Sequence, residues 1–145
     1  KVTGRKLPHQ TWSIVAKIKE VDDLMRQDPK ARSIIREVHP EVCFWAFAGE
    51  KAMSYAKHKA TGWEERLNLL HGLDPRTNEI VKNALQNFRI QISQEVVAKD
   101  DILDALVAAL TAKGDPGELE SFPAKPQWDT ECLPMEMVYR SRPRC

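Results

Sequence analysis

Cysteine is scarce in this sequence. Cys43, Cys132 and Cys145 are odd in number and widely scattered, which excludes a self-contained disulfide framework and the paired spacing of a zinc site. A reducing, cytoplasmic setting is therefore expected, with Cys43 acting as a small buried hydrophobe. An excess of charge of one sign is lacking too. The formal net charge is +1, from 22 basic and 21 acidic side chains, so no strong field draws the chain to nucleic acid or to an anionic membrane. Any contact with nucleic acid must then rest on local patches. No apolar run approaches the roughly 20 residues of a membrane helix, and no signal-peptide pattern is found. A Gly-rich phosphate loop, a G-x-S-x-G elbow, a C-x-x-C pair and an H-E-x-x-H motif are all missing, which removes the chemistries they carry.

What is present is an ordinary globular composition, 42% apolar and 30% charged over 145 residues. That length suits one domain with a real core, so residues 1–145 are expected to form a single domain. Residues 11–27 place Ile14, Ile18, Val21 and Met25 on one helical face, with Val15 and Leu24 beside them. Asp28-Pro29 should end that helix, because the residue before proline is pushed out of the α region. The β-branched stretch 33–38 (SIIREV) reads as a strand, stopped at His39-Pro40. Pro40 is placed to open a helix over 41–48 that is apolar nearly all round, with Gly49 closing it.

Residues 50–61 read as a basic loop and residues 63–71 as a short helix capped by Gly72. A further helix opens at Asp74-Pro75 and carries Ile80, Val81, Ala84, Leu85 and Phe88. Residues 89–97 fit a strand or a helix equally. Residues 100–113 are the clearest helix, with Ile102, Leu103, Leu106, Val107 and Leu110 as the buried stripe and Gly114 at its end. Four prolines make 115–134 read as a loop, and 135–139 as a last short strand. Trp12, Trp45, Trp63 and Trp128 belong to different elements and read as packing residues rather than a stacking platform.

The chemistry-bearing residues are acidic. Asp100, Asp101 and Asp104 lie in D-D-I-L-D-A-L, where 101 with 104, or 100 with 104, share a helix face. Two readings stand side by side. The macrodipole favours acids in a first helical turn, and Asp100 suits an N-cap. Asp104 sits a turn further in, beside the buried stripe, and fits that account less well. Glu37 lies at the end of the expected strand, where ligands bind in open α/β sheets. Carboxylates at a strand end and a helix start can together hold Mg²⁺ or Mn²⁺, hard ions that prefer oxygen, and such ions support phosphodiester hydrolysis. His39 is a candidate general base or additional ligand, though before proline at a strand end it reads more simply as a turn residue, and Glu41 reads as a helix-start acid. Lys57, Lys59 and Arg66 are candidates to meet a phosphate.

Several blocks resemble one family: TGRKLPHQTW with KIKEVD within 3–22, REVHPEVCFWA at 36–46, GWEERL at 62–67, DDILDALVAALTA at 100–112 and PMEMVY at 134–139. Together they resemble the domain of unknown function 429 family, predicted nucleases of the ribonuclease H-like fold. The resemblance implies an α/β fold in which helices flank a sheet and acidic residues hold Mg²⁺ or Mn²⁺. On that pattern Glu37 resembles the strand glutamate, Asp101 and Asp104 the helix pair, with Asp100 as adjacent support and Lys57 and Arg66 on the substrate side. An opening strand with a G-V-D-G-type motif and the following hairpin find no counterpart here, and the family's S-K-K-T segment reads Ala56-Lys57-His58-Lys59. The expectation is the helix-rich C-terminal portion of a ribonuclease H-like domain, nuclease-like toward a nucleic-acid phosphodiester but with little or no activity of its own. The alternatives are a non-catalytic scaffold that keeps the fold, and a metal-dependent phosphatase acting on a small substrate.

Overall fold

A computed structural model of the chain describes residues 9–91 and 98–142. Among these, the order is α1 (His9–Gln27), α2 (Pro29–Ile34), α3 (Pro40–Phe47), α4 (Ala60–Leu73), α5 (Thr77–Gln91), α6 (Lys99–Ala112), a 3₁₀ turn (Pro116–Glu118), β1 (Glu120–Trp128) and β2 (Pro134–Tyr139). The arrangement is helix-rich α/β, and its sheet is the two-stranded hairpin β1-β2. No helix among the described residues is long and apolar enough to cross a membrane. The chain falls into two compact units: residues up to 36 with 127–135, and residues 37–126 with those from 136 onward.

In the first unit, Asp28-Pro29 does end α1, yet it also starts α2. The Asp28 carboxylate accepts the Lys30 N–H at 2.8 Å and Pro29 stands in the first helical turn. Arg32 then reaches back to donate to the Met25 carbonyl at 3.1 Å. The strand expected over 33–38 is therefore not formed: the helix takes Ser33 and Ile34, and the chain turns extended at Ile35 (φ −81°, ψ 126°). Local capping has overridden β-propensity. The apolar face foreseen on α1 exists but stays in solvent: Trp12 is 62% and Ile18 56% exposed, and Ile14, Val21 and Leu24 are exposed as well.

The second unit holds a core built on α3 and α6. Cys43, Phe44 and Phe47 from α3 meet Leu70 of α4, Val81 of α5, and Ile102, Leu103 and Val107 of α6. Each fully buried large side chain here stabilises by about 1.5–3 kcal/mol. The all-round apolar character of α3 is explained by this central place, and Pro40 opens it as foreseen. Gly49, at φ +75°, lets the chain reverse beyond α3. Cys43 is fully buried, and burial raises its thiol above the usual range. α4 runs through Gly72 to Leu73, longer than expected, and the cap falls on Asp74. α5 resolves part of the ambiguous stretch as helix up to Gln91, and 92–97 lies outside the described residues.

The proline-rich stretch expected as a loop instead contains β1, with Pro123 and Pro126 in the strand. A two-stranded sheet leaves β1 one unpaired side, where a missing N–H costs no ladder bond; positions 123 and 126 alternate sides in a regular strand, so that side accommodates one of the two prolines. The turn is closed by Asp129, whose carboxylate accepts the N–H groups of Glu131 and Leu133 at 2.9 and 2.8 Å. β2 forms as predicted. Its Val138 N–H donates to the Glu37 carbonyl at 2.7 Å, so the extended segment before α3 touches the strand without itself becoming one. Trp45 packs edge-on to Tyr139, with ring centroids 5.8 Å apart. Trp128, like Trp12, is exposed, so neither of these two serves as packing.

Candidate functional site

α6 begins without a side-chain cap: the N-cap is Ala98, so Asp100 is not the cap its position suggested. Asp100 and Asp101 lie in the first turn, where the helix dipole favours acids. Asp100 and Asp104 are one turn apart on the same face, and such a pair repels. A lysine from the loop before α4 relieves the repulsion. Lys57 Nζ stands 3.3 Å from an Asp100 carboxylate oxygen and 3.1 Å from one of Asp104. The Asp104 side chain is 19% exposed, against 41% for Lys57. Burial raises the Asp104 carboxyl above its ordinary range, aided by nearby Glu41 and Asp100, and outweighs the lowering pull of Lys57. The more exposed ammonium of Lys57 is held protonated above its usual range, chiefly by its hydrogen bond to Asp104.

The loop reaches this position because α4 clips it down. Glu65 accepts the backbone N–H groups of Ser54 and Tyr55 at 2.8 and 3.1 Å. Arg66 donates to the Tyr55 and Gly62 carbonyls, both at 3.0 Å. Its other donors meet Glu41 of α3 in a forked pair at 2.8 to 3.1 Å. These five hydrogen bonds equal the donor count of a guanidinium, and Arg66 is only 4% exposed and stacked over Phe44. Arg66, expected to meet a phosphate, has its donors engaged inside the protein. Glu41 is drawn toward the same corner as Asp104, which is how its charge comes to be felt there.

Of the three carboxylates expected to act together, Asp104 alone stands in this arrangement. Glu37 is exposed, in the extended segment rather than at a strand end, and Asp101 is exposed on the first turn of α6. His39 is the N-cap of α3, where its side chain makes no capping bond. Among the described residues no three Asp, Glu, His or Cys side chains form a group able to hold a metal ion. The grouping found is Asp100, Asp104 and Lys57, with Glu41 and Arg66 beside it. Spacing alone foretold the Asp100–Asp104 face. The convergence of Lys57 could not be read, because its partners are more than 40 positions away and no local pattern links them.

Residues 1–128 match the family described as a protein of unknown function (DUF429). The chain belongs to that family. Neither a curated protein nor a solved structure shows a match. The DUF429 match runs from α1 to the end of β1 and so includes Lys57, Arg66 and the whole of α6, while β2 lies beyond it.

Proposed function

We propose that this DUF429 member is a nuclease-like protein of the ribonuclease H-like fold whose acidic centre is countered by Lys57 and which does not itself cleave nucleic acid. The observation carrying this reading is the ammonium of Lys57, 3.1 and 3.3 Å from two carboxylates on one face of α6. The class of chemistry is phosphodiester hydrolysis aided by Mg²⁺ or Mn²⁺, ions that require several oxygen ligands. Glu37, Asp101 and Asp104 are the candidate ligands by family pattern, with Lys57 the candidate phosphate contact. Among the described residues the donor set does not fit a resident metal. A single half-buried carboxylate pair already matched by a cation offers too few free oxygens, and no third carboxylate joins it among the described residues. No catalytic step is therefore assigned. Incubation of this chain with single-stranded, duplex and branched DNA and RNA in Mg²⁺ or Mn²⁺ should give no cleavage. Metal-dependent cleavage abolished by Asp104→Asn would overturn the reading.

One observation favours an interaction protein without catalysis. On the apolar face of α1 Trp12, Ile14, Ile18 and Val21 are exposed, and exposed apolar surface of this kind marks contact regions.

A further inference from the structure

The two carboxylates of α6 and the loop lysine pose a question of charge balance. Asp100 and Asp104 present two negative charges on one face, and Lys57 returns one positive charge between them. That lysine is not a loose surface chain meeting an acid by chance. The loop that carries it is tied to α4 at Ser54, Tyr55 and, through Gly62, Ala56. The Gly62 backbone lies so close to the Ala56 carbonyl that an added Cβ would fall 2.1 Å from its oxygen. Loop position is thus set by the Glu65 and Arg66 side chains and by the Gly62–Ala56 approach, none of which uses the acidic pair, and those contacts deliver the ammonium to it. A hydrated divalent ion and a lysine ammonium seek the same carboxylate oxygens, and the affinity of such a pair for a divalent ion follows its net charge.

Resting on the nuclease-like reading, we infer that Lys57 is a tethered counter-cation that excludes divalent metal from the Asp100–Asp104 pair and thereby sets whether this corner can accept one. Removing its charge leaves two carboxylates facing a vacancy the size of an ammonium group. Retaining the charge in another side chain keeps the pair closed.

The test is Mn²⁺ binding by the full chain, read by the loss of the free-ion paramagnetic resonance signal and by calorimetry. Lys57→Met should bind Mn²⁺ at least about tenfold more tightly than the unsubstituted chain, and Lys57→Arg should not. Adding Asp104→Asn to Lys57→Met should abolish the gain. Because Lys57 is a partly exposed loop residue, the variants are expected to fold, which circular dichroism checks. Should Lys57→Met prove unfolded, Lys57→Gln serves in its place, and in the unsubstituted chain Mn²⁺ should leave the Lys57 side-chain resonances unbroadened. Equal, measurable affinity in the unsubstituted chain and Lys57→Met would overturn the counter-cation proposal and leave the nuclease-like reading standing. An absence of binding in every variant would likewise overturn the counter-cation proposal, and the nuclease-like reading, which assigns the chain no resident metal, is decided separately by the cleavage assay.

Discussion

Gly62 and Gly72 lie in the same helix, α4, and have opposite surroundings. Gly62 is buried against the Tyr55–Ala56 backbone, which a Cβ would overlap, whereas a Cβ at Gly72 would meet nothing within 4 Å. A methyl group at Gly62 must push the loop away from the helix, loosening the Arg66 contacts and the placing of Lys57. At Gly72 the same change merely removes backbone freedom from the unfolded chain. Gly62→Ala should therefore destabilise by about 2 kcal/mol or more, and Gly72→Ala should stabilise by about 0.5–1 kcal/mol. Urea unfolding of the two variants measures this, and similar effects of the two would contradict the close approach at Gly62. Neither environment is legible in the sequence. G-W-E-E-R-L and H-G-L look alike as helical text, and Gly72 even looks the better stop signal. What distinguishes them is a loop that packs on one and not on the other.

The connections between helices show where reading a sequence element by element succeeds and where it stops. Pro40 opening α3 and Asp74-Pro75 preceding α5 are local signals, and both act as read. Asp28-Pro29 is equally local, yet it ends one helix and begins another, so the β-branched residues after it are absorbed into α2. β1 is hidden by its prolines, which weigh against a strand in the sequence, although a two-stranded sheet has an unpaired edge that tolerates one. Asp74 shows how much one junction can gather. Its carboxylate accepts from the Arg76 side chain and backbone N–H and from Lys113 just past α6, linking α4, α5 and α6. Those bonds, the Arg76 side chain first, hold its carboxyl well below the usual carboxylate range. A folded value below the unfolded one means stability that is full above about pH 4 and is lost as the pH falls below it. Asp104, raised by burial, has the opposite sign: its contribution is present at low pH and lost as pH rises through its folded value. Urea unfolding between neutral and strongly acid pH should show the decline below about pH 4 shallower for Asp74→Asn than for the parent chain. Identical acid limbs would remove Asp74 as its source.

Across the molecule, the sequence foretold which residues would be apolar on each helix but not what each face would meet. The stripes of α3 and α6 found one another and made the core; the stripe of α1 was read from the same periodicity and lies in solvent. The candidate site follows the same division. Asp100 and Asp104 sharing a face is a matter of helical pitch, whereas Lys57 and the Glu41–Arg66 pair are joined by tertiary placement. The far end of α6 is held by a cation as well. Arg140, after β2, donates to the Thr111 carbonyl at 3.0 Å and the Asp115 carbonyl at 2.8 Å, and also meets Glu118. Gly114 leaves room for it, since a Cβ there would fall within 2.5 to 2.8 Å of the guanidinium. The Thr111 carbonyl at this helix end, with the Asp115 carbonyl just beyond it, is thus answered by a planar cation. Arg140→Ala would empty a seat shaped for a guanidinium ion, at a cost of about 2 kcal/mol. Free guanidinium, far below denaturing concentration, should then refill it and raise the stability of that variant, while sodium chloride at equal ionic strength should not. For this one variant, a reagent used to unfold proteins would first act as a ligand. Thermal melts in the two salts would reveal the reversal, and matching curves would refute it.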